Sequence, residues 1–194
     1  MSTPAALASV GEDCVLVLHG LEPAWPAARL LGPAFTAQGA AGDNLALHHA
    51  LAQASAGDVI VLAVGGERGR AHCGGIIASA ARMRGIAGIV VDGAVRDRAE
   101  LEEIGLPVFH RGVSPLKPAK DGVAQLGVPI EIDGVRIEPG DLIAADSDGV
   151  VVVPRAHADE LLAAAAALEN REHEILARIE RGETTLEIYG YESL

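Results

Sequence analysis

The sequence has 194 residues, of which 49% are apolar but only 3% aromatic, and its formal net charge is −12. This length fits one domain that buries enough surface to fold without disulfides or a structural metal. The negative charge argues against a binder of nucleic-acid backbone or of an anionic membrane surface, because both need clustered Lys and Arg. A small anionic substrate is still compatible, since one arginine and a few backbone amides hold a carboxylate locally.

Two cysteines, Cys14 and Cys73, form neither a paired nor a metal-binding pattern. This predicts reduced thiols and a cytoplasmic protein. Cys73 is expected to be a small buried residue rather than a nucleophile. The first residues show no signal-peptide pattern, and the longest plain apolar run, residues 161–168, falls short of the roughly 20 residues of a membrane helix.

The first half of the chain predicts alternating strands and helices, because continuous apolar runs are typical of strands buried on both faces. We treat the whole chain, 1–194, as one domain whose N-terminal segment, 1–31, is weakly specified. No clear helix is predicted in its first 13 residues. The predicted elements are a possible strand at 14–20, a strand at 34–38, a helix from 45 to about 55, a strand at 59–64, a glycine-rich loop at 65–75, a helix from 76 to 85 and a strand at 88–93.

The second half changes character. After a short helix at 97–106 and a strand at 107–113, residues 129–154 alternate short apolar runs with Asp-Gly and Pro-Gly turns, which predicts hairpins. Asp146, Ser147 and Asp148 most simply form one such turn. Residues 156–194 predict a long C-terminal helix, to about 181, and a packed tail. The element order favours a layered α/β fold with mixed sheets.

The block from Gly65 to Asp97 carries the chemistry. Gly74 and Gly75 precede a predicted helix, whose first amides lack partners and favour an anion. Arg96 and Asp97 follow a buried strand, and ligands gather at strand ends in α/β proteins. Arg grips a carboxylate in a fork and Asp binds a hard divalent cation, which together suit a 2-oxo acid. Each feature also has a plainer reading, a tight turn for the glycines and a surface ion pair for Arg96 and Asp97.

Other polar residues are open between two interpretations. His72 and His110 are either polar fillers of the interior or ligands. Glu172 and Glu174 most simply lie on a solvated helix face, with a functional role as the alternative.

The chain resembles the regulator-of-ribonuclease-activity A family, whose members include divalent-metal-dependent aldolases acting on 4-hydroxy-4-methyl-2-oxoglutarate. The resemblance spans about residues 32–182. It is carried by the stretches GDNLALHHAL, GDVIVL, GIAGIVVDGAVRD, GLPVFHRGVSP and PGDLIAADSDGVVVVP, in that order.

The resemblance implies a swivelling-type α/β/β layered fold, assembled as trimers or hexamers with the active site between subunits. It implies that Arg96 binds the substrate carboxylate, aided by the amides of Ile76 and Ile77, and that Asp97 coordinates Mg²⁺ or Mn²⁺. It also implies that a glutamate of the C-terminal helix, Glu172, reaches a neighbouring subunit's site.

One departure from the family stands out. Catalytic members carry an acidic residue about twenty positions before the Arg-Asp pair, where this chain has Gly75. From the resemblance we expect a metal-dependent lyase on a 2-oxo acid, acting by retro-aldol cleavage or oxaloacetate decarboxylation. Because position 75 is glycine, His72 or a metal-bound water would handle the proton. The alternatives are a non-catalytic regulator on the same scaffold, such as a ribonuclease inhibitor, and a different enzyme.

Overall fold

The computed structural model describes residues 2–191. The last three residues of the predicted tail lie outside this range. The helices are α1 (Pro4–Val10), α2 (Leu45–Gln53), α3 (Gly75–Met83), α4 (Arg98–Ile104), α5 (Ala158–Glu180) and α6 (Thr185–Tyr189). The strands are β1 (Leu16–Leu18), β2 (Glu22–Pro23), β3 (Leu30–Gln38), β4 (Val59–Cys73), β5 (Gly88–Val95), β6 (Val108–Val113), β7 (Gln125–Leu126), β8 (Ile130–Ile132), β9 (Val135–Ile137), β10 (Leu142–Asp146) and β11 (Gly149–Val153).

The main sheet is mixed, which confirms the predicted fold class. Its order is β1-β11-β10-β3-β4-β5-β6-β2, with β7 added beside β3 and a separate β8–β9 hairpin. The central strands β3 to β6 run parallel, and the flanking pairs are antiparallel. The carboxyl ends of the parallel strands β4 and β5 therefore form the edge of the sheet at which α3 and α4 begin.

Alternate residues of β4 face opposite layers, as the period of a strand requires. Ile60 and Leu62 pack among α2, α3 and α4, whereas Val59 and Val61 pack toward β8, β9, β10 and β11. Both sides are apolar, which explains why this strand is an unbroken apolar run. The result is an α/β/β arrangement with α1 and α5 packed on the outer face of β10 and β11.

The glycine-rich segment 65–75, predicted as a loop, mostly belongs to β4. Gly65 and Gly66 adopt positive φ angles of 69° and 74°, which only glycine tolerates readily. They let the strand bulge, and its pairing with β5 resumes through register shifts up to Cys73 opposite Val95. The prediction of a loop was wrong because the pairing partners on β5 lie 22 or more residues further along the sequence (Cys73 pairs with Val95) and supply the hydrogen bonds.

The N-terminal segment is also more ordered than its sequence indicates. Pro4 occupies the first turn of α1, and the Thr3 hydroxyl accepts a hydrogen bond from the Ala6 amide at 3.1 Å. Leu7 is fully buried in the layer that α1 shares with α5. A helix this short is marginal alone, so packing on α5 stabilises it.

The predicted C-terminal helix is α5, which begins two residues later than expected. The tail adds α6, capped by reciprocal bonds between Thr184 and Glu187. Among residues 2–191, no helix is both long and apolar enough to cross a membrane.

Candidate functional site

Arg96 and Asp97 form the connection between β5 and α4. The Arg96 amide donates to the Cys73 carbonyl at 2.9 Å, so the ends of β4 and β5 are held together. Asp97 has φ 60° and ψ 39°, a left-handed conformation that is uncommon for a residue other than glycine. A strained residue persists only where the surrounding structure holds it in place, and such residues cluster at functional sites.

The Asp97 carboxylate faces the start of α3 instead of capping its own helix. Its Oδ2 accepts a hydrogen bond from the Gly75 amide at 3.1 Å and lies 3.3 Å from Arg96 Nε. Both side chains are about one-third exposed, at 31% for Arg96 and 35% for Asp97. Arg96 and Asp97 thus lie beside the helix entrance that the sequence singled out, with the carboxylate accessible to a ligand.

Gly74 and Gly75 are required for close approach, not for their backbone angles. Neither has a positive φ. A Cβ on Gly74 would lie 2.5 Å from Asp97 Oδ2 and 3.1 Å from Arg96 Nε, and a Cβ on Gly75 would overlap the carboxylate of Glu100. The two glycines therefore make room for two acidic side chains.

Glu100 lies beside Gly75, the position at which this chain departs from the acidic residue of the family's catalytic members. It lies on α4, three residues after Asp97, and its carboxylate occupies the space into which a side chain at position 75 would project. An acidic group is therefore present at this place, supplied by another element. Position 75 itself carries no carboxylate, and Glu100 lies beside it because residues 75 and 100 are neighbours in the folded chain.

These residues line two adjoining clefts. The outer cleft is bounded by α3 and α4 and is lined by Gly75, Ile76, Ser79, Ala80, Met83, Arg96, Asp97 and Glu100. The inner cleft has a volume of about 250 Å³ and is lined by Asn44, His48, Ala71, His72, Cys73, Gly74, Ile76, Ile77, Arg96, Lys117, Pro118 and Lys120. Ile76 and Arg96 belong to both, so a ligand held by Arg96 reaches either cleft.

The first amides of α3 complete this junction. Ile76 and Ile77 lie in the first helical turn, where N–H groups have no acceptor within the helix. Gly74 precedes them without a side-chain cap. An anion beside Arg96 would therefore meet a guanidinium and helical amides together.

The inner cleft holds neutral histidines and an unreactive thiol. Burial lowers the pKa of His72 and of His48, and the nearby charge of Lys120 lowers that of His48 further. Burial raises the pKa of Cys73 to about 12, so its thiol stays protonated and is a poor nucleophile.

The donor set of the outer cleft fits a magnesium-type ion. Mg²⁺ is usually bound by one or two carboxylates together with water and substrate oxygens. Asp97 and Glu100 supply two accessible carboxylates in one cleft. Within residues 2–191, no three His, Cys, Asp or Glu side chains cluster as a complete protein cage. Two carboxylates would leave the other positions of an octahedral Mg²⁺ ion to water and substrate oxygens.

The remaining predicted residues lie elsewhere. Glu172 is exposed on α5 and lines neither cleft of its own chain. His110 is buried on β6, outside both clefts, and Asp146 lies at the start of the β10–β11 turn, as the hairpin pattern predicted.

Sequence reasoning missed several residues that line the clefts. They are Asn44, His48, Glu100, Lys117 and Lys120. A signal existed for two of them, since Asn44 and His48 are four residues apart at the start of a predicted helix and share one face. The lysines lie in an irregular segment, where sequence periodicity carries no information about direction.

The Aldolase/RraA family model matches residues 5–152, most of the chain. The chain belongs to the RraA-like family. A relative from Halalkalibacterium halodurans, provisionally assigned as a 4-hydroxy-4-methyl-2-oxoglutarate aldolase, is 44% identical over 134 residues, which cover 69% of this chain and 64% of the relative. The match thus spans slightly less than two thirds of that relative's length.

Solved structures agree on the fold. A protein of unassigned function from Pseudomonas syringae superimposes with a TM-score of 0.80 at 35% identity, covering 94% of this chain and 86% of the other. The RNA-processing inhibitor RraA from Thermus thermophilus gives a TM-score of 0.73 at 30% identity, covering 79% and 93%. The RraA-like relatives of this chain thus include proteins named for catalysis and proteins named for regulation.

Proposed function

We propose that this RraA-like protein is a divalent-metal-dependent lyase that cleaves a 2-oxo acid and releases pyruvate. The observation that carries the proposal is the convergence of Arg96, Asp97 and Glu100 at the start of α3. The relative provisionally assigned as an aldolase supports the same reaction class.

In this proposal Arg96 and the Ile76 and Ile77 amides bind the substrate carboxylate. Asp97, with Glu100 beside it, would hold Mg²⁺ or Mn²⁺, which when bound supplies an electrophile for the keto oxygen. The Glu100 carboxylate orients a water or carries a proton near the substrate carbon that becomes the methyl group of pyruvate. The bond broken is the C3–C4 bond of a 4-hydroxy-2-oxo acid, or the bond to the departing carboxylate of oxaloacetate.

The assembly belongs to the proposal as well. We expect a homotrimer or a hexamer in which Glu172 from α5 of one copy approaches the outer cleft of the next. Glu172 is exposed on α5 and lines neither cleft of its own chain, which agrees with a role toward a neighbour.

A coupled pyruvate-release assay tests the function directly. It compares oxaloacetate with 4-hydroxy-2-oxo acids, in Mg²⁺, in Mn²⁺ and in EDTA. We expect metal-dependent turnover that Asp97→Asn abolishes, while Glu103→Gln, an exposed change on the same helix that lines neither cleft, leaves it unaltered. Turnover that survives both EDTA and Asp97→Asn would refute the metal-dependent mechanism.

A regulatory protein on the same scaffold is the second candidate. It is favoured by the similarity to the Thermus thermophilus RNA-processing inhibitor and by the net charge of −12, which suits contact with a basic RNA-binding partner. Absence of turnover on every 2-oxo acid in both metals would favour it.

A further inference from the structure

His72 is an extra residue in the pairing between β4 and β5. Ala71 lies opposite Ala94 and Cys73 lies opposite Val95, so two steps along β4 correspond to one step along β5. An inserted residue of this kind forms a β-bulge, which interrupts the ladder and redirects the strand, often beside an active site. This bulge lies at the carboxyl end of β4, just before α3 begins.

The His72 ring bonds across the bulge. Its Nδ1 lies 3.4 Å from the Ala94 carbonyl oxygen, which only accepts, so we assign the ring proton to Nδ1. Its Nε2 makes no hydrogen bond within residues 2–191. The ring has no exposed surface, and a Cβ on Gly93 would lie 2.9 Å from Nδ1, so glycine at that position makes room for it. The side chain therefore acts on the backbone of β5 and not on a ligand.

Asn44 contacts the same bulge from α2. It occupies the N-cap of that helix, where an asparagine side chain usually bonds to its own first turn. Here the side chain makes no such bond, and its Nδ2 donates instead to the His72 carbonyl at 3.1 Å. A buried backbone group needs a partner, and at this bulge a side chain supplies one.

The bulge lies directly before the two segments that meet at the candidate site. His72 lies two residues before Gly74 on β4, and Ala94 stands at the same distance before Arg96. Between them the Arg96 amide donates to the Cys73 carbonyl at 2.9 Å. A shift of the bulge would therefore move the start of α3 relative to the Arg96 guanidinium.

We propose that His72 and Asn44 are positioning residues, which fix the bulge and so hold Arg96 and Asp97 against the start of α3. The bulge contacts are the bond from His72 Nδ1 to Ala94 and the bond from Asn44 to the His72 carbonyl. Their role in turnover rests on the proposed function, whereas the contacts themselves can be measured without a reaction. Residues that orient the ligands of a metal usually change affinity or activity by about 10- to 100-fold.

Nitrogen NMR of the histidine rings tests the bulge contacts in the wild-type protein. With the ring signals assigned through the backbone, we expect His72 to be the tautomer protonated at Nδ1 at neutral pH. The opposite tautomer, or a ring that averages between the two, would overturn the proposal. This measurement needs neither a ligand nor a variant that folds.

Two substitutions separate positioning from simple packing. His72→Asn keeps a donor near the place of Nδ1, whereas His72→Leu fills space without one. The probe is oxalate, which resembles the enolate of pyruvate, titrated in Mg²⁺ by calorimetry. We expect His72→Leu to weaken oxalate binding by about tenfold and to speed hydrogen exchange of the Arg96 amide, while His72→Asn stays near the wild-type values whatever its melting temperature. Exposed His49→Leu on α2 is the control.

Affinity and Arg96 exchange that follow the melting temperature instead of the donor would overturn the positioning role. Donor-dependent oxalate binding without pyruvate release from any 2-oxo acid would refute the lyase and keep that role. Pyruvate release that His72→Leu leaves unchanged, with Arg96 exchange also unchanged, would do the reverse. If the wild-type protein binds no oxalate, the proposed metal site fails, and the tautomer and the Arg96 exchange still decide the role of His72.

Discussion

At the scale of single residues, Gly75 and Glu100 show that a carboxylate at one place in the site can come from a different position in the chain. Glycine at position 75 leaves the space that the Glu100 carboxylate fills. Glu100 is an exposed side chain on α4 with room to move, so a carboxylate introduced at position 75 would displace it rather than add to it.

A swap of the two residues tests this relation. Glu100→Ala should lower pyruvate-forming turnover by about 10²-fold or more, the usual contribution of acid–base help. Gly75→Asp alone should change turnover little, and Gly75→Asp combined with Glu100→Ala should recover most of the loss. The measurement is turnover beside melting temperature, with Glu102→Ala as the control. Full activity in Glu100→Ala would show that Glu100 has no part in the reaction.

At the scale of elements, the segment that carries Lys117 and Lys120 is held by contacts with Asp43, which is far from it in sequence. The Asp43 carboxylate accepts hydrogen bonds from the Leu45, Asp121 and Gly122 amides at 2.8 to 2.9 Å. Burial by itself would raise the pKa of Asp43, but these amides outweigh it and the pKa is lowered. Its stabilisation is therefore complete at neutral pH and is lost only on acidification through the folded-state pKa, below about 4.

Removing the Asp43 carboxylate should release the segment that carries Lys117 and Lys120. We expect Asp43→Ala to lower the free energy of unfolding by about 3 kcal/mol, because charged hydrogen bonds are lost and buried amides are left unpaired. Trypsin should then cut after Lys120 much faster than in the wild-type protein. Asp148→Ala, at an exposed turn, serves as the control. Unchanged cleavage at Lys120 would contradict the anchoring role.

The junction of β2 and β6 carries a second pH-dependent group. Burial, assisted by the charge of Arg98, lowers the pKa of His110 to about 4, while Glu22 acts in the opposite direction. An unfolded histidine titrates near 6.5, so between these values the unfolded state binds more protons and stability falls as the pH falls.

This predicts an acid-sensitive strand pair. Between pH 7 and pH 5, His110 should contribute a loss of about 2 kcal/mol in the free energy of unfolding. His48 and His72 titrate in the same direction, so the decisive quantity is the difference between wild-type protein and His110→Leu in urea unfolding at both pH values. Exposed His173→Leu is the control. An identical pH dependence in His110→Leu and the wild-type protein would contradict the assignment.

At the scale of the whole molecule, two large apolar side chains of α3 are exposed at the outer cleft. Ile76 is 80% exposed and Met83 is 86% exposed, both on α3. Large apolar side chains are seldom grouped on the free surface of a protein unless that surface binds something. This arrangement agrees with the proposed contact between copies at the site.

An assembly test follows from that surface. Wild-type protein should scatter light as a trimer or a hexamer at micromolar concentration, and Met83→Asp should shift it toward monomer, because a buried unpaired charge is costly. Leu186→Asp on α6 is the matched change at another exposed apolar residue. A monomeric wild-type protein would remove both the assembly and the shared site from the proposal.

The amino-acid sequence by itself determined the layers and the family. Unbroken apolar runs in the central strands indicate burial on both faces of the sheet. Arg96 and Asp97 are adjacent in sequence at the end of a strand, so their pairing could be read without the fold. Local patterns of this kind do not depend on what the rest of the chain does.

Only the tertiary structure decided what depends on contacts between distant segments. The second half of β4 became a strand because β5 pairs with it, and α1 is stabilised by α5. Glu100 fills the space at Gly75, and Asn44 meets His72 and the Lys120 segment in one cleft, because folding joins residues whose separation in sequence hides their proximity.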